Sequence, residues 1–367
     1  MPQPKLRQPR PQQRRIALAF ATVAGACAAA LYPAAFAAAQ LVGSAYDLAL
    51  PASVGRSSEN YVIFDALSMQ RNSDTSLTPG PLVLNTDTQQ AAIAPGDMQF
   101  PVAPGYRVLI GTHANEDIGW EVGSLGVYGM FADAIASGSD NLQIPPPLGE
   151  KVSSLRGASA ARATYGSVLN SAEANAILTR QYVHLPHYNG YPYDAIGYAI
   201  TVDWLTGFRW AGLDETSSLA LGPDFQTLDT VYSTRTSSNL FGWQLGVRGR
   251  VDWERWALEG TLKGALAGAN VTQSQSPIVN ALSGEIYRPG ASAQTANVAG
   301  IFELGTSLVY RLSDTWGLRV GYSMLWLTGV ALAPNQYNFS SPLAINTVDT
   351  NNTLWLGGGS VGLEARW

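Results

Sequence analysis

Between Tyr198 and Leu213 large apolar side chains alternate with small and polar ones, and this run constrains the fold more than any other feature of the chain. Tyr198, Ile200, Val202, Trp204, Thr206, Phe208 and Trp210 share one face. Thr201, Asp203, Leu205, Gly207, Arg209 and Ala211 share the other. Period two with opposed chemistry is the pattern of a half-buried β-strand. Strands in globular proteins average about 5–6 residues. A tilted strand crossing a bilayer needs about 9–11 residues in the hydrocarbon, and this run has that length.

The pattern recurs. In 241–267, Phe241, Trp243, Leu245, Val247 and Val251 oppose Gln244, Arg248, Arg250 and Asp252. The chain then turns and returns with Trp256, Leu258 and Leu262 opposite Glu259, Thr261 and Lys263. A second hairpin turns at Ser313–Thr315, setting Leu308, Tyr310, Trp316, Leu318, Val320 and Tyr322 against Glu303, Ser307, Arg311 and Arg319. Ten strands are expected, near 60–70, 105–114, 118–128, 168–180, 197–213, 239–252, 256–271, 298–312, 316–328 and 354–367; twelve is the alternative count. The connections alternate between short turns (115–117, 253–255 and 313–315, with 181–196 intermediate) and long loops (71–104, 129–167, 214–238, 272–297 and 329–353). Short inner turns alternating with long outer loops are the mark of an outer-membrane barrel. The fold class expected is all-β, a transmembrane antiparallel up-and-down β-barrel over 60–367.

The N-terminus reads as an export signal. Lys5, Arg7, Arg10, Arg14 and Arg15 precede an Ala-rich apolar run that ends in Ala37-Ala38-Ala39, a small-residue cleavage pattern. Residues 1–39 are therefore assigned to a signal peptide and 40–59 to a periplasmic lead. Cys27, the only cysteine, leaves with the signal, which removes disulfides, thiol catalysis and Cys-ligated metals from the mature chain. Losing five basic residues takes the net charge from −5 to −10. That balance argues against nucleic-acid binding. Charged residues make up only 13% of the chain, about half the share in soluble domains. Ile16–Ala39 is the one stretch long and uncharged enough for a helical span.

The last strand, Val361, Leu363, Ala365 and Trp367 against Gly362, Glu364 and Arg366, ends in an aromatic residue. Trp367 is assigned as the signal read by the barrel assembly machinery. Trp253, Trp256 and Trp316 sit beside short turns, where an interfacial aromatic girdle belongs.

The segments SAEANAIL (171–178), LTGFRWAGLDE (205–215), 241–267, RVGYSMLW (319–326) and the terminal LEARW resemble a family of planctomycete beta-barrel porins, the one numbered seven. The resemblance covers about 60–367 and implies an outer-membrane barrel of undefined substrate. It transfers no catalytic or binding residues.

Alternation places Arg107, Glu121, Glu173, Asp203, Arg209, Arg248, Arg250, Glu259, Lys263, Glu303, Arg311, Arg319, Glu364 and Arg366 in the lumen. The function expected first is a porin-like channel for passive diffusion of small hydrophilic solutes or ions, in an outer membrane whose lipid the strands face. The alternative is a non-conducting structural or surface-interaction barrel whose salt-bridged lumen is plugged. Eight strands leave an interior that side chains fill and about sixteen leave a channel, so ten lies near the closed end. An outer-membrane hydrolase ranks third, since no motif gathers Ser, His and acids, and the chain is read as not an enzyme. His184 and His187 have near-ligand spacing, with Asp194 nearby, but Pro186 prevents a helix that would align them; they are read as loop histidines. No cofactor and no metal are expected.

Overall fold

The computed structural model describes residues 60–72, 80–114, 117–184, 198–279, 284–340 and 347–367. The segments expected as signal peptide (1–39) and lead (40–59), with His187 and Asp194, lie outside the described residues. Ten long strands run antiparallel in chain order: β1 (Asn60–Arg71), β2 (Ala103–His113), β3 (Ile118–Gln143), β4 (Ala158–His184), β5 (Tyr198–Gly222), β6 (Asp229–Trp253), β7 (Trp256–Gln275), β8 (Ala291–Arg311), β9 (Trp316–Val330) and β10 (Asn352–Arg366). Each neighbours the next, and β1 also pairs with β10, from Tyr61 opposite Arg366 to Arg71 opposite Leu356. The ring is therefore closed with ten strands, not twelve. The Trp367 and Asn60 backbones exchange two hydrogen bonds of 2.9 and 3.1 Å at the seam. Closure leaves no edge of unpaired N–H and C=O groups, which lipid could not satisfy.

The outer face carries an apolar belt. Trp120, Phe208, Trp243, Leu266, Val320 and Leu363 are all exposed on it. On β7 the belt runs from Trp256 to Leu266, about 25 Å of bilayer height at ~3.3 Å per residue and the usual tilt. Trp256 and Trp316 mark its lower border beside the short turns. A face this apolar, with no second sheet over it, belongs in lipid.

Several strands continue far beyond the belt, and the expected long loops shrink accordingly. The loop expected over 214–238 is strand up to Gly222 and again from Asp229. The one expected over 129–167 is strand up to Gln143 and again from Ala158. Two physical reasons hid these extensions. First, the chemistry of the two faces inverts. On β5, Leu213, Leu219 and Leu221 are buried while Asp214 and Thr216 are exposed, so above the belt the apolar residues point inward and the polar ones outward. Second, β3 carries a bulge between Val127 and Met130, with Gly129 at φ +71°. One extra residue switches the parity: Leu125 and Val127 point inward before it, Met130 and Ala132 after it.

The connections at this end fold into the ring. Leu82, Ile93, Met98 and Phe100 from 72–102, Leu148, Val152 and Leu155 from 144–157, and Leu332, Ala333 and Tyr337 from 331–351 join the inward Leu67, Leu213, Leu240, Ile301 and Leu327 in one apolar core. In the β5–β6 turn, the Thr227 hydroxyl and the backbone N–H groups of Thr227 and Gln226 donate to Asp224, which holds its carboxyl below the usual range.

Candidate functional site

The lower half of the ring is filled by ionised side chains. The inward charges expected from alternation, Asp252 on the same face of β6 among them, take part in ion pairs there and are joined by Asp65 on β1. Eight cations (Arg107, Arg209, Arg248, Arg250, Lys263, Arg311, Arg319, Arg366) face eight carboxylates (Asp65, Glu121, Glu173, Asp203, Asp252, Glu259, Glu303, Glu364). The layer is neutral as a set, which lets it persist away from bulk water.

The pairs reach from wall to wall. Arg248 on β6 meets Glu121 on β3 at 2.5 Å and Asp203 on β5 at 3.0 Å. It also donates to the Tyr61 hydroxyl at 2.8 Å, and that hydroxyl donates to Glu121 at 2.6 Å. β1 and β6 stand opposite one another in a ring of ten, so this chain crosses the lumen. Lys263 on β7 pairs with Glu173 on β4, and Arg209 on β5 with Glu303 on β8 at 2.6 Å. Gln244 donates to Glu173 at 2.6 Å and to Asn175 at 2.9 Å. Nearer the short turns, Arg319 bridges Glu364 at 2.6 Å and Glu259 at 2.8 Å, Arg250 holds Glu364 at 2.8 Å and Asp252 at 3.0 Å, and Arg311 and Arg366 close the edge.

Sequence reasoning missed Tyr61, Asp65 and Asn175, while Gln244 stands on the polar face of β6 where alternation set it. Tyr61, Ile63 and Asp65 alternate inward on β1, so the signal was there, diluted by a strand with few aromatics on its outer face. Asp65 packs against Gly362, where a Cβ would come within 2.2 Å of its Oδ1, so a side chain at Gly362 would displace the Arg107 partner.

Above this layer the interior is the apolar core, which holds one buried ion pair. Arg71 pairs with Glu215 at 2.7 Å and lies 4.6 Å from the ring centres of Phe100 and Tyr165. Glu215 also accepts from the Tyr165 hydroxyl at 2.7 Å and the Ala333 N–H at 2.9 Å. Glu215 thus ties Ala333 of the inserted connection to the wall. Among the described residues no group of three or more His, Cys, Asp or Glu is placed to hold a metal. His113, beside the β2–β3 turn, bonds Thr179 at 3.1 Å.

No protein-family model matches the chain, and no curated protein matches it. Among solved structures it is similar to the outer membrane protease OmpT from Escherichia coli, with 9% identity and a TM-score of 0.47 over 86% of this chain and 99% of that one. It is also similar to Neisserial surface protein A, with 12% identity and a TM-score of 0.27 over 84% and 98%. A major outer membrane protein from Thermus thermophilus matches with 12% identity and a TM-score of 0.30 over 84% and 99%. The closed antiparallel ring of ten strands and its exposed apolar belt themselves define the class, an all-β antiparallel barrel of the outer-membrane kind.

Proposed function

We propose that the chain is an exported barrel of a bacterial outer membrane that conducts no solute, and that its loop-covered end serves as a binding surface on the cell exterior. One observation carries this reading: side chains span the lumen, as where Arg248 on β6 pairs with Glu121 three strands away and donates to the Tyr61 hydroxyl on the opposite β1. A hydrated solute could pass only by parting such pairs, and breaking one buried pair costs about 3–5 kcal/mol. Of the two lumens considered from sequence, this geometry supports the plugged one. The segments resembling planctomycete porins fit at the level of an outer-membrane barrel. The tall wall above the belt supports the orientation, with the 223–228 turn outside and the Asp314 turn inside.

Single-channel recording in planar bilayers tests this. The wild type should be silent although it migrates as a heat-modifiable folded barrel, whereas discrete conductance steps would restore the diffusion pore. Antibody tags inserted at 223–228 should be reachable on intact cells and tags at Asp314 hidden; the reverse would invert the orientation. Deleting Trp367 should lower the outer-membrane level while export across the inner membrane continues.

A further inference from the structure

Within the belt the ring is closed, but above it the strands differ in height. β3 to β8 have between 20 and 27 residues, whereas β1, β2, β9 and β10 have between 11 and 15. The last pair between β2 and β3 is Gly105 with Val127. β3 regains a neighbour on that side at its top, where Leu84 stands opposite Gln143 and the Thr86 N–H donates to Asn141 O at 2.8 Å. Between these points Met130 to Ser137 run in unbroken register against Ser167 to Ala160 of β4. Among the described residues no strand pairs with the other side of this stretch. An antiparallel strand turns its N–H and C=O groups alternately to its two sides, so half of the backbone groups here face away from β4 toward an open edge. Native edges are commonly blunted by Pro, Lys or inward charges. The stretch MFADAIAS has neither Pro nor a basic residue, and its one charge, Asp133, is met by Arg162 at 2.9 Å.

Both faces of this edge are also incompletely covered. Tyr106 and Tyr128 stack at 6.3 Å and mark the upper border of the belt. Phe131 and Ile135 lie beyond that border, about 13 Å apart along the strand. They are 49% and 63% exposed, with the solvated Asp133–Arg162 pair between them. Elsewhere above the belt the tall strands turn polar residues outward, such as Thr216, Arg235, Thr272 and Gln294. On the inner face Ala134 and Ala136 pack against the apolar core yet remain half-buried. One added strand would pair the backbone groups, cover Phe131 and Ile135 outside and close over the two alanines inside. A second copy in the same membrane does not supply it. Such copies are related by an axis along the bilayer normal, and edges tilted about 40° then cross at about 80°, which forms no ladder.

We infer that the Met130–Ser137 edge binds an extended segment of another protein by strand addition. Asp133 is already paired, so the segment is uncharged, with β-branched or aromatic residues beside Phe131 and Ile135. The inference rests on the surface-binding reading proposed above and names the class of its partner. The test uses the full-length folded barrel in lipid nanodiscs, with empty nanodiscs as the blank. It is titrated with fluorescent eight-residue peptides that alternate Val or Ile with Thr, and with versions carrying Lys or Glu in place of Thr. A neutral peptide should bind saturably and at least tenfold more tightly than the charged versions. Its fully N-methylated form keeps the side chains but donates no backbone hydrogen bond, and should bind tenfold or more weakly. Ile135→Lys charges the edge without removing buried packing and should weaken binding tenfold or more, with unchanged heat-modifiable migration. Thr272→Lys, on a strand paired on both sides, should change affinity less than twofold. Absence of saturable binding, preference for a charged peptide, equal binding of the N-methylated form, or full affinity in Ile135→Lys overturns the inference. A silent bilayer without peptide binding removes this inference alone, while conductance steps from the same sample remove the closed-barrel reading.

Discussion

The two halves of the barrel interior follow opposite rules. Below the level of Asp65, Lys263 and Glu303 the inner wall is charged and the outer wall apolar; above it, from Leu67, Ala265 and Ile301 upward, the inner wall is apolar. The same strands carry both patterns. The difference shows that the solvent outside the wall decides what the inside must be. Within the bilayer the outward side chains are already apolar, and polar inward ones give each strand an unambiguous inside, since a one-residue slip would turn a charge into lipid. Beyond the bilayer the outer face meets water, so the ring can hold together only around a core of the ordinary soluble kind.

Five substitutions probe this contrast. The largest effect should come from the charged half. Glu121→Leu leaves Arg248 and Lys263 short of a carboxylate in a buried layer and should destabilise the barrel by about 3–5 kcal/mol, read by urea unfolding in lipid vesicles. A smaller loss there than in any core truncation would show that the layer is wetter than its burial implies. In the upper half, Leu327→Ala removes a fully buried side chain and should lower stability by about 2–5 kcal/mol. Limited proteolysis should then cut first within 331–340, because the inserted segment loses a packing partner while the ion pairs stay intact. If cleavage instead begins in the short turns, the two halves do not behave as separate layers.

The outer wall sharpens the contrast further. Val247→Arg places a charge on the lipid face opposite Leu262 and should be unfavourable by about 2–4 kcal/mol near the bilayer midplane, measured by the same unfolding assay. Arg248→Ser, one residue along, should impair insertion less and should be the variant in which bilayer recordings first detect current. A harmless Val247→Arg beside a non-folding Arg248→Ser would mean that the faces are assigned backwards. The smallest effect belongs to the solvated wall. Arg162 and Asp133 pair at 2.9 Å with both side chains exposed, and Arg162→Ser should change stability by about 0–1 kcal/mol.

The sequence by itself pointed to ten strands with twelve as the alternative, and to the inward and outward faces of most of them wherever the chain crosses the apolar belt; ring closure decided for ten. There the bilayer imposes one rule on every strand, and Arg209 beside Phe208 or Arg319 beside Val320 reads the same way in any neighbour's company. Inward position was legible for every charge of the layer but Asp65; the partner of each was not, because Arg248 and Glu121 are 127 residues apart and their meeting depends on ring size and stagger. Only the tertiary structure decided that the lumen is filled, that Gly129 switches the parity of β3, and that segments expected as outer loops continue the wall or enter it. A cleft at the loop-covered end is of the same kind, since Pro145 on its lining lies in the β3–β4 connection and Asn338 and Asp349 in the β9–β10 connection, with no shared periodicity. Local alternation reports the solvent on each side of a strand, whereas these features depend on which strands stand opposite one another, and only closure of the ring sets that.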